Sequence, residues 1–341
     1  MSDERRLTDL VQSSLPRAEV ERTASDYLAF HDEARGGGPG ARRRHYARMV
    51  NDFYDLVTDF YEFGWGPSFH FAPRRRDESL TASLARHEFF LALRLGLGPG
   101  MRVLDVGCGV GGPMRAIARF SGATIVGLNN NAYQVRRAAE LTRAAGLEHR
   151  CSLVKADFME LSPDDGPYDA VYAIEAIPHA PDRARLFRAL HRVMRPGALF
   201  ASYDWCLTPS YDGANPEHRA IKRGIEEGDA LPELPPFEVV TDALVQAGFE
   251  LVESRDLALE CDPTTPWYQP LAARLALAGF HHSRVGRMVT NVAVRGLELV
   301  RVAPRGAAAV SSFLNAAADA LVRGGQTGTF TPMFYTLARK R

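Results

Sequence analysis

Lysine is almost missing from this chain. Among 41 basic residues only Lys155, Lys222 and Lys340 are lysine, and the rest are arginine. That bias resembles the product of a GC-rich genome and points to a bacterial host. Net charge is missing as well, because 41 acidic side chains balance the bases. The overall charge therefore gives no footprint for nucleic acid, and no nucleic-acid partner is expected. Cysteine is scarce. Cys108, Cys151, Cys206 and Cys261 are scattered without metal-ligand spacing, which predicts reduced thiols in a cytoplasmic chain and no metal site. No stretch is long and apolar enough to span a bilayer, and Met1-Ser-Asp-Glu-Arg-Arg is too polar for a secretory signal. A cytoplasmic protein is expected, or one lying peripherally on a membrane surface. No repeat or long low-complexity segment occurs. At 341 residues there is material for one large domain or two small ones.

What is present is organised around Val103-Leu-Asp-Val-Gly107-Cys-Gly109-Val-Gly111-Gly112. A short apolar run reaches an acid, then a glycine cluster, then a helical pattern over Pro113–Phe120. This reads as a strand, a tight turn and a helix. Gly107 can turn where a side chain would clash, Gly109 lets a ligand approach the backbone, and Gly112 lets helix pack on strand. The first free N–H groups of the helix then face whatever negative group occupies the turn. No Lys-Ser/Thr pair follows the glycines, so the turn is not a phosphate-gripping P-loop.

A regular alternation follows. Ala123–Leu128, Cys151–Val154, Tyr168–Ile174, Ala198–Trp205 (after a Pro196-Gly197 turn) and Phe249–Arg255 read as strands. Tyr133–Ala145, Arg183–Met194 and Thr241–Ala247 read as helices, and Phe330–Ala338 as a last strand. Strands separated by helices of this length predict a parallel sheet. Leu80–Leu95 is a helix leading into the organising strand. Gly36-Gly-Gly-Pro-Gly40 reads as a flexible break and Arg42-Arg43-Arg44 as a solvated helix face. A helical insertion covers roughly Leu271–Arg323, with Leu275, Leu277, Phe280, Val285, Met288 and Val292 among its apolar positions. Core packing and contact with a membrane or apolar substrate both suit it. Residues Phe60–Phe71 hold seven aromatic rings if His70 is counted, and their glycines and proline argue against a long regular helix there. Composition serves equally a packed loop or a pocket wall whose ring faces stabilise a cation, with Glu62 and His70 as its polar points.

In an open α/β sheet a ligand lies beyond the carboxyl ends of the strands. Past the second strand stands Asn129, able to donate and accept toward a ribose hydroxyl. Past the third stands Asp157-Phe158, a carboxylate suited to an exocyclic amine beside a ring suited to stacking. Past the fourth stand Glu175 and His179. Each alone reads as an ordinary cap or turn residue. Their joint placement at consecutive strand ends points to a nucleotide-type site.

From about Tyr46 to Arg339 the sequence resembles the sterol 24-C-methyltransferase family, enzymes dependent on S-adenosyl-L-methionine. The resemblance is carried by Tyr54-Asp-Leu-Val-Thr-Asp-Phe-Tyr-Glu-Phe-Gly-Trp-Gly66, Ser68-Phe-His-Phe71 and Leu104-Asp-Val-Gly-Cys-Gly-Val-Gly-Gly-Pro113. It continues through Gly127-Leu-Asn-Asn-Asn131, Lys155-Ala-Asp-Phe-Met159, Tyr172-Ala-Ile-Glu-Ala176, His179-Ala-Pro181, Asn215-Pro-Glu-His218, Pro266-Trp-Tyr268 and Phe330-Thr-Pro-Met333. The C-terminal layout is most like the cycloartenol-type members. The resemblance implies an α/β class I methyltransferase fold. This is a Rossmann-like seven-stranded sheet with an N-terminal helical and aromatic segment and a helical insertion before an antiparallel last strand. The implied domains are 1–85 (N-terminal segment), 86–257 (cofactor core), 258–329 (helical substrate- or membrane-facing insertion) and 330–341 (last strand).

On the matching positions Gly107, Gly109 and Gly111 would line the methionine part of the cofactor, with Asp105, Cys108 and Gln134 in the same set. Asn129 would meet the ribose, Asp157 the adenine amine, Phe158 the ring, Ser68 the cofactor carboxylate, and Glu175 the region of the sulfonium. The implied reaction is attack by a C24=C25 alkene on the methyl group, a hydride shift, and loss of a proton. It needs no base at its first step. Tyr61, Phe63 and Trp65 are candidates for the cation wall, and Glu62, His70 or His179 for the late base. The chain departs from the family at Ile177-Pro178, where Thr-Cys is usual, and at Ala230, where Gly is usual. Two other functions remain compatible: methylation of another isoprenoid olefin, or a non-catalytic cofactor-binding partner. The expected partner is a sterol with a Δ24 side chain. A peripheral membrane contact and a homo-oligomer are both compatible with the sequence.

Overall fold

The computed structural model describes residues 15–272, 284–300 and 302–341. In chain order the helices are α1 (Val20–Ala29), α2 (Pro39–Arg44), α3 (Tyr46–Trp65), α4 (Leu80–Arg94), α5 (Gly112–Ser121), α6 (Ala132–Ala144), α7 (Arg183–Val193), α8 (Pro216–Gly228), α9 (Phe237–Gln246), α10 (Gln269–Ala272), α11 (Arg284–Leu299) and α12 (Ala307–Thr327). The strands are β1 (Arg102–Val106), β2 (Thr124–Asn129), β3 (Cys151–Lys155), β4 (Tyr168–Ile174), β5 (Met194–Leu207), β6 (Phe249–Asp256) and β7 (Phe330–Lys340). They form two compact units. One comprises Met1–Phe69, Ser210–Glu233 and Tyr268–Phe330; the other comprises His70–Pro209, Leu234–Trp267 and Thr331–Arg341.

The second unit is built on a seven-stranded sheet of order β3-β2-β1-β4-β5-β7-β6. β1 pairs in parallel with β2 and β4, β2 with β3, and β4 with β5, while β7 runs antiparallel to β6. The seven-stranded architecture is the one expected. Val103, Leu104 and Val106 of β1 and Ala170, Val171, Tyr172 and Ala173 of β4 are buried in succession rather than alternately. That is the mark of strands covered on both faces. The chain lays β2 and β3 on one side of β1, then crosses to lay β4 and β5 on the other. The order therefore reverses between β1 and β4, where such sheets bind ligands.

Most strand boundaries differ from the sequence reading by one or two residues, and that of β5 differs most. β5 begins at Met194, so the Pro196-Gly197 step lies inside the strand. Tyr168 pairs with Met194 but Ala170 pairs with Leu199. Pro196 lacks an N–H and Gly197 adopts φ +78, so the pair forms a bulge instead of ending the ladder.

In the first unit, α3 corrects the expectation of no long helix through the aromatic stretch. It runs 20 residues, through Gly64, and stops only at Gly66 with φ +77. A glycine within a helix costs about 1 kcal/mol. Met49, Val50, Phe53, Leu56 and Val57 on one face pack into a core with Val20, Ala24 and Tyr27 of α1 and Val310 of α12. Each such burial is worth about 1.5–3 kcal/mol, so packing wins.

The Gly36–Gly40 segment is also ordered by its own bonds. Gly37 N–H donates to the Asp32 carbonyl and Gly38 N–H to that of Phe30, and Pro39 then opens α2. Arg42 is buried and donates to Glu226 at 3.1 Å and to the Pro232 carbonyl at 3.1 Å, so only part of the arginine run is solvated.

α8 and α12 meet through small residues. A Cβ on Gly228 would lie 2.1 Å from that of Ala317, and one on Gly224 2.8 Å from that of Ala320. The insertion's Leu275, Leu277 and Phe280, and the side chain of Val285, lie outside the described residues. Among the described residues no helix is long and apolar enough to cross a membrane.

Candidate cofactor site and catalytic residues

The turn after β1 is shaped by backbone conformations that side chains resist. Gly107, Gly109 and Gly111 have φ +81, +54 and +76. Gly107 and Cys108 both donate N–H to the Leu128 carbonyl of β2, at 2.8 and 3.1 Å, which folds the turn over the neighbouring strand end. A Cβ on Gly107 would stand 2.4 Å from that of Ala176. The turns after β1 and after β4 are thus in contact at the switch point. Asp105, just before the turn, is 2% exposed and accepts from the Tyr172 hydroxyl at 3.0 Å. Burial pushes its carboxyl up to about 7, against the pull of that hydrogen bond.

The asparagine triplet after β2 has a structural job. Asn129 donates its amide to Gln134 Oε1 at 2.7 Å and to the Gly109 carbonyl at 3.3 Å, and accepts from Asn131 N–H at 3.1 Å. It ties the glycine turn to β2 and to α6. Asn131 caps α6 by accepting from Gln134 N–H at 2.9 Å. After β3, Asp157 caps a short turn by accepting from Met159 N–H at 2.8 Å, with Phe158 half-buried beside it.

Glu175 follows β4 with φ +53, a strained setting for a side chain of its size. Its Oε1 accepts from Phe71 N–H at 2.7 Å and its Oε2 from Trp205 Nε1–H at 2.8 Å. The Phe71 ring lies 5.0 Å from that of Trp267, edge-on, and 6.0 Å from that of Trp205. Both ring nitrogens of His70 face acceptors: Nδ1 the Phe71 carbonyl at 2.7 Å, Nε2 the Glu88 carboxylate at 3.1 Å. Burial would pull this histidine down, but the hydrogen bond and charge of Glu88, with Glu175 and the Phe71 carbonyl, raise it above its usual value. Both ring nitrogens of His70 are thus engaged with acceptors of this unit. His179 is buried in the Ile177–His179 turn next along the chain. Glu175, His70, Asp105, Cys108 and the glycines come together in this unit.

Tyr61, Glu62, Phe63, Trp65 and Ser68 belong to the helical unit. Glu62 is buried on α3, while Phe63, Trp65 and Ser68 are half-buried. Tyr61 packs edge-on to Phe69 at 5.5 Å and donates its hydroxyl to Asp229 Oδ1 at 3.2 Å. Burial pushes Asp229 up to about 7. Ala230 follows with φ +53, which accounts for the family's usual glycine there.

Sequence reading missed Glu88, Trp205 and Asp229. Trp205 was within reach, since it is the last residue of the fifth strand as read from sequence. Glu88 and Asp229 carry no local signal.

The sheet, its switch point and the glycine turn make the chain a class I S-adenosylmethionine-dependent methyltransferase. Its fold is that of the cyclopropane synthase MmaA2 from Mycobacterium tuberculosis, with TM-score 0.67 at 18% identity, covering 85% of this chain and 97% of that one. Residues 41–288 match the mycolic acid cyclopropane synthetase family model, and residues 277–340 match the sterol methyltransferase C-terminal model. The chain is 50% identical over 315 residues to cycloartenol-C-24-methyltransferase of Arabidopsis thaliana, covering 92% of each. It is 46% identical over 308 residues to sterol 24-C-methyltransferase of Yarrowia lipolytica, covering 88% of this chain and 80% of that one. It belongs to the sterol 24-C-methyltransferase family.

Proposed function

We propose that the chain moves a methyl group from S-adenosylmethionine to C24 of a sterol whose side chain carries a C24=C25 double bond. The observation supporting this most directly is the Glu175 carboxylate, fixed by two donors and followed by Ala176, against which the glycine turn packs. A carboxylate held in place is the chemistry a sulfonium calls for. When bound, S-adenosylmethionine supplies an electrophilic methyl group. Gly107, Gly109 and Gly111 would take its methionine part, with Asp105 and Cys108 behind them and Ser68 assigned to its carboxylate. Asn129, which donates to Gln134, would take the ribose, Asp157 the adenine amine, and Phe158 the ring.

Alkene attack at C24 leaves positive charge at C25. A hydride shift moves that charge to C24, and loss of a proton from a neighbouring carbon ends the reaction. Tyr61, Phe63 and Trp65 are assigned to stabilising the cation without offering it a nucleophile. Glu62, His70 and His179 are assigned as the candidates for the late base, and both ring nitrogens of His70 already face acceptors. The insertion's exposed Met288, Val292 and Leu299 support a peripheral membrane contact for a cytoplasmic enzyme with a lipid substrate. The relatives named above are plant and fungal, so a bacterial host rests on the arginine bias alone.

The test is purified protein with labelled cofactor and a panel of olefins. A Δ24 sterol should gain one methyl at C24, and its counterpart with a saturated side chain should be inert. Equal methylation of both would exclude alkene attack, and turnover only of a linear terpene would reassign the substrate. Within the same assay Glu62→Gln should keep the first step and divert the cation to isomeric alkenes or a side-chain alcohol. Trp65→Leu should instead slow methylation itself, by about the 0.5–2 kcal/mol of one cation–π contact. A Glu62→Gln enzyme that makes only the normal product would remove Glu62 from the proton path and leave His70 and His179 to be tested the same way.

A further inference from the structure

The sheet unit contains a buried ion pair that no step above uses. Glu88 of α4 and His70 are each 2% exposed, and Glu88 Oε1 lies 3.1 Å from His70 Nε2. A buried pair of this kind seldom adds stability over apolar residues of the same volume, so its value is sought in what it holds. His70 holds the Phe71 carbonyl through Nδ1 at 2.7 Å, and the N–H of the same Phe71 donates to Glu175 Oε1 at 2.7 Å. Both polar groups of one residue's backbone are thereby committed, which leaves its φ and ψ little play. Trp205 fixes the other carboxylate oxygen.

We propose that Glu88, acting through His70 and the Phe71 backbone, is a positioning residue that aims the Glu175 carboxylate at the cofactor's positive sulfur. This rests on the reading of Glu175 as the group facing the sulfonium. The raised pKa of His70 fits it, since a protonated ring donates at both nitrogens. Its neighbour His87, 6.1 Å away between ring centroids, is pushed well below its usual value by burial, then by the His70 and Arg86 charges, and so stays neutral.

A carboxylate aimed at a sulfonium distinguishes S-adenosylmethionine from S-adenosylhomocysteine, which differs at that point by lacking the methyl and the charge. The experiment measures both dissociation constants by calorimetry on the full chain, for wild type, Glu175→Gln, Glu88→Gln and the double variant. Glu175→Gln should reduce the preference for the charged ligand about tenfold, equivalent to about 1.4 kcal/mol. Glu88→Gln should reduce it by about threefold or more, and the double variant should fall no further than Glu175→Gln alone. His70→Asn keeps a donor for the Phe71 carbonyl and loses the link to Glu88. It should behave as Glu88→Gln does, and it serves if that variant does not fold by circular dichroism. Equal weakening of both ligands by Glu88→Gln and His70→Asn would mean a merely structural pair and overturn the proposal. Additive loss in the double variant would overturn it too. An unchanged preference in Glu175→Gln would instead remove the sulfonium reading of Glu175, and this proposal with it.

Discussion

Gly107→Ala should weaken S-adenosylmethionine binding by about a hundredfold or more while the sheet still folds. Two independent penalties meet at this position. Its φ of +81 is a conformation that L side chains resist, at about 1–2 kcal/mol. The added methyl would also sit 2.4 Å from Ala176 Cβ. Relieving such an overlap in a packed interior takes about 1–3 kcal/mol. The movement that relieves it displaces either the glycine turn, assigned to the cofactor, or Ala176, whose preceding residue Glu175 is assigned to the region of the sulfonium. Because the overlap is with one methyl group, it can be removed separately. Gly107→Ala combined with Ala176→Gly should regain part of the lost affinity and thermal stability, leaving only the left-handed strain. Calorimetry with the cofactor and a thermal melt read the two effects. Wild-type affinity in the single variant, or no recovery in the pair, would show that the two turns are not coupled at this contact.

The features easiest to read from sequence were those whose cause is local. Val103–Val106 declares itself as a buried strand by apolar residues interrupted only by Asp105, and Gly107, Gly109 and Gly111 declare a turn because little else tolerates their backbone. Helix starts were close to legible where an Asn or Asp caps, as Asn131 and Asp182 do. The reading failed where a distant surface decides. Gly64 looked like a helix breaker, and only the core against α1 and α12 shows why α3 runs through it. Arg42 looked like a solvated base because Glu226, 184 residues away, is invisible locally. At the site, sequence located Glu175 at a strand end but not its donors. Phe71 is 104 residues distant and Trp205 is 30, and no spacing rule links them. His70 is the plainest case. A histidine in an aromatic stretch reads as a candidate base, and nothing local announces that its Nε2 faces Glu88, 18 residues away.

Asp229→Asn should stabilise the protein at pH 8 and change little at pH 4. Asp229 is 7% exposed, and its Oδ2 has no hydrogen-bond partner among the described residues. Burial lifts its carboxyl from 3.8 to about 7, even though the Tyr61 hydroxyl pulls the other way. The sign follows from proton counting. Between about pH 4 and 7 the folded chain keeps a proton that the unfolded chain has released, so raising the pH across that window favours unfolding. The contribution is fully present below the unfolded pKa and is lost as the pH passes through the folded one. Three pKa steps correspond to about 4 kcal/mol at most, and relaxation around the charge reduces what is measured, so about 1–3 kcal/mol is expected. Asparagine keeps an oxygen for the Tyr61 hydroxyl and has no charge to bury. Other groups titrate in the same range. Asp105, also pushed to about 7 by burial, acts in the same direction, whereas His31, lowered to about 3 by burial and by Arg42, acts in the opposite one. The wild-type profile is therefore composite, but the difference between wild type and Asp229→Asn isolates one carboxyl. Thermal melts of both proteins at intervals from pH 4 to 8 should diverge upward from about pH 5, with the variant the more stable at pH 8. Parallel curves would mean that Asp229 ionises at its ordinary pKa, and that the Tyr61 pocket is wetter than its burial indicates.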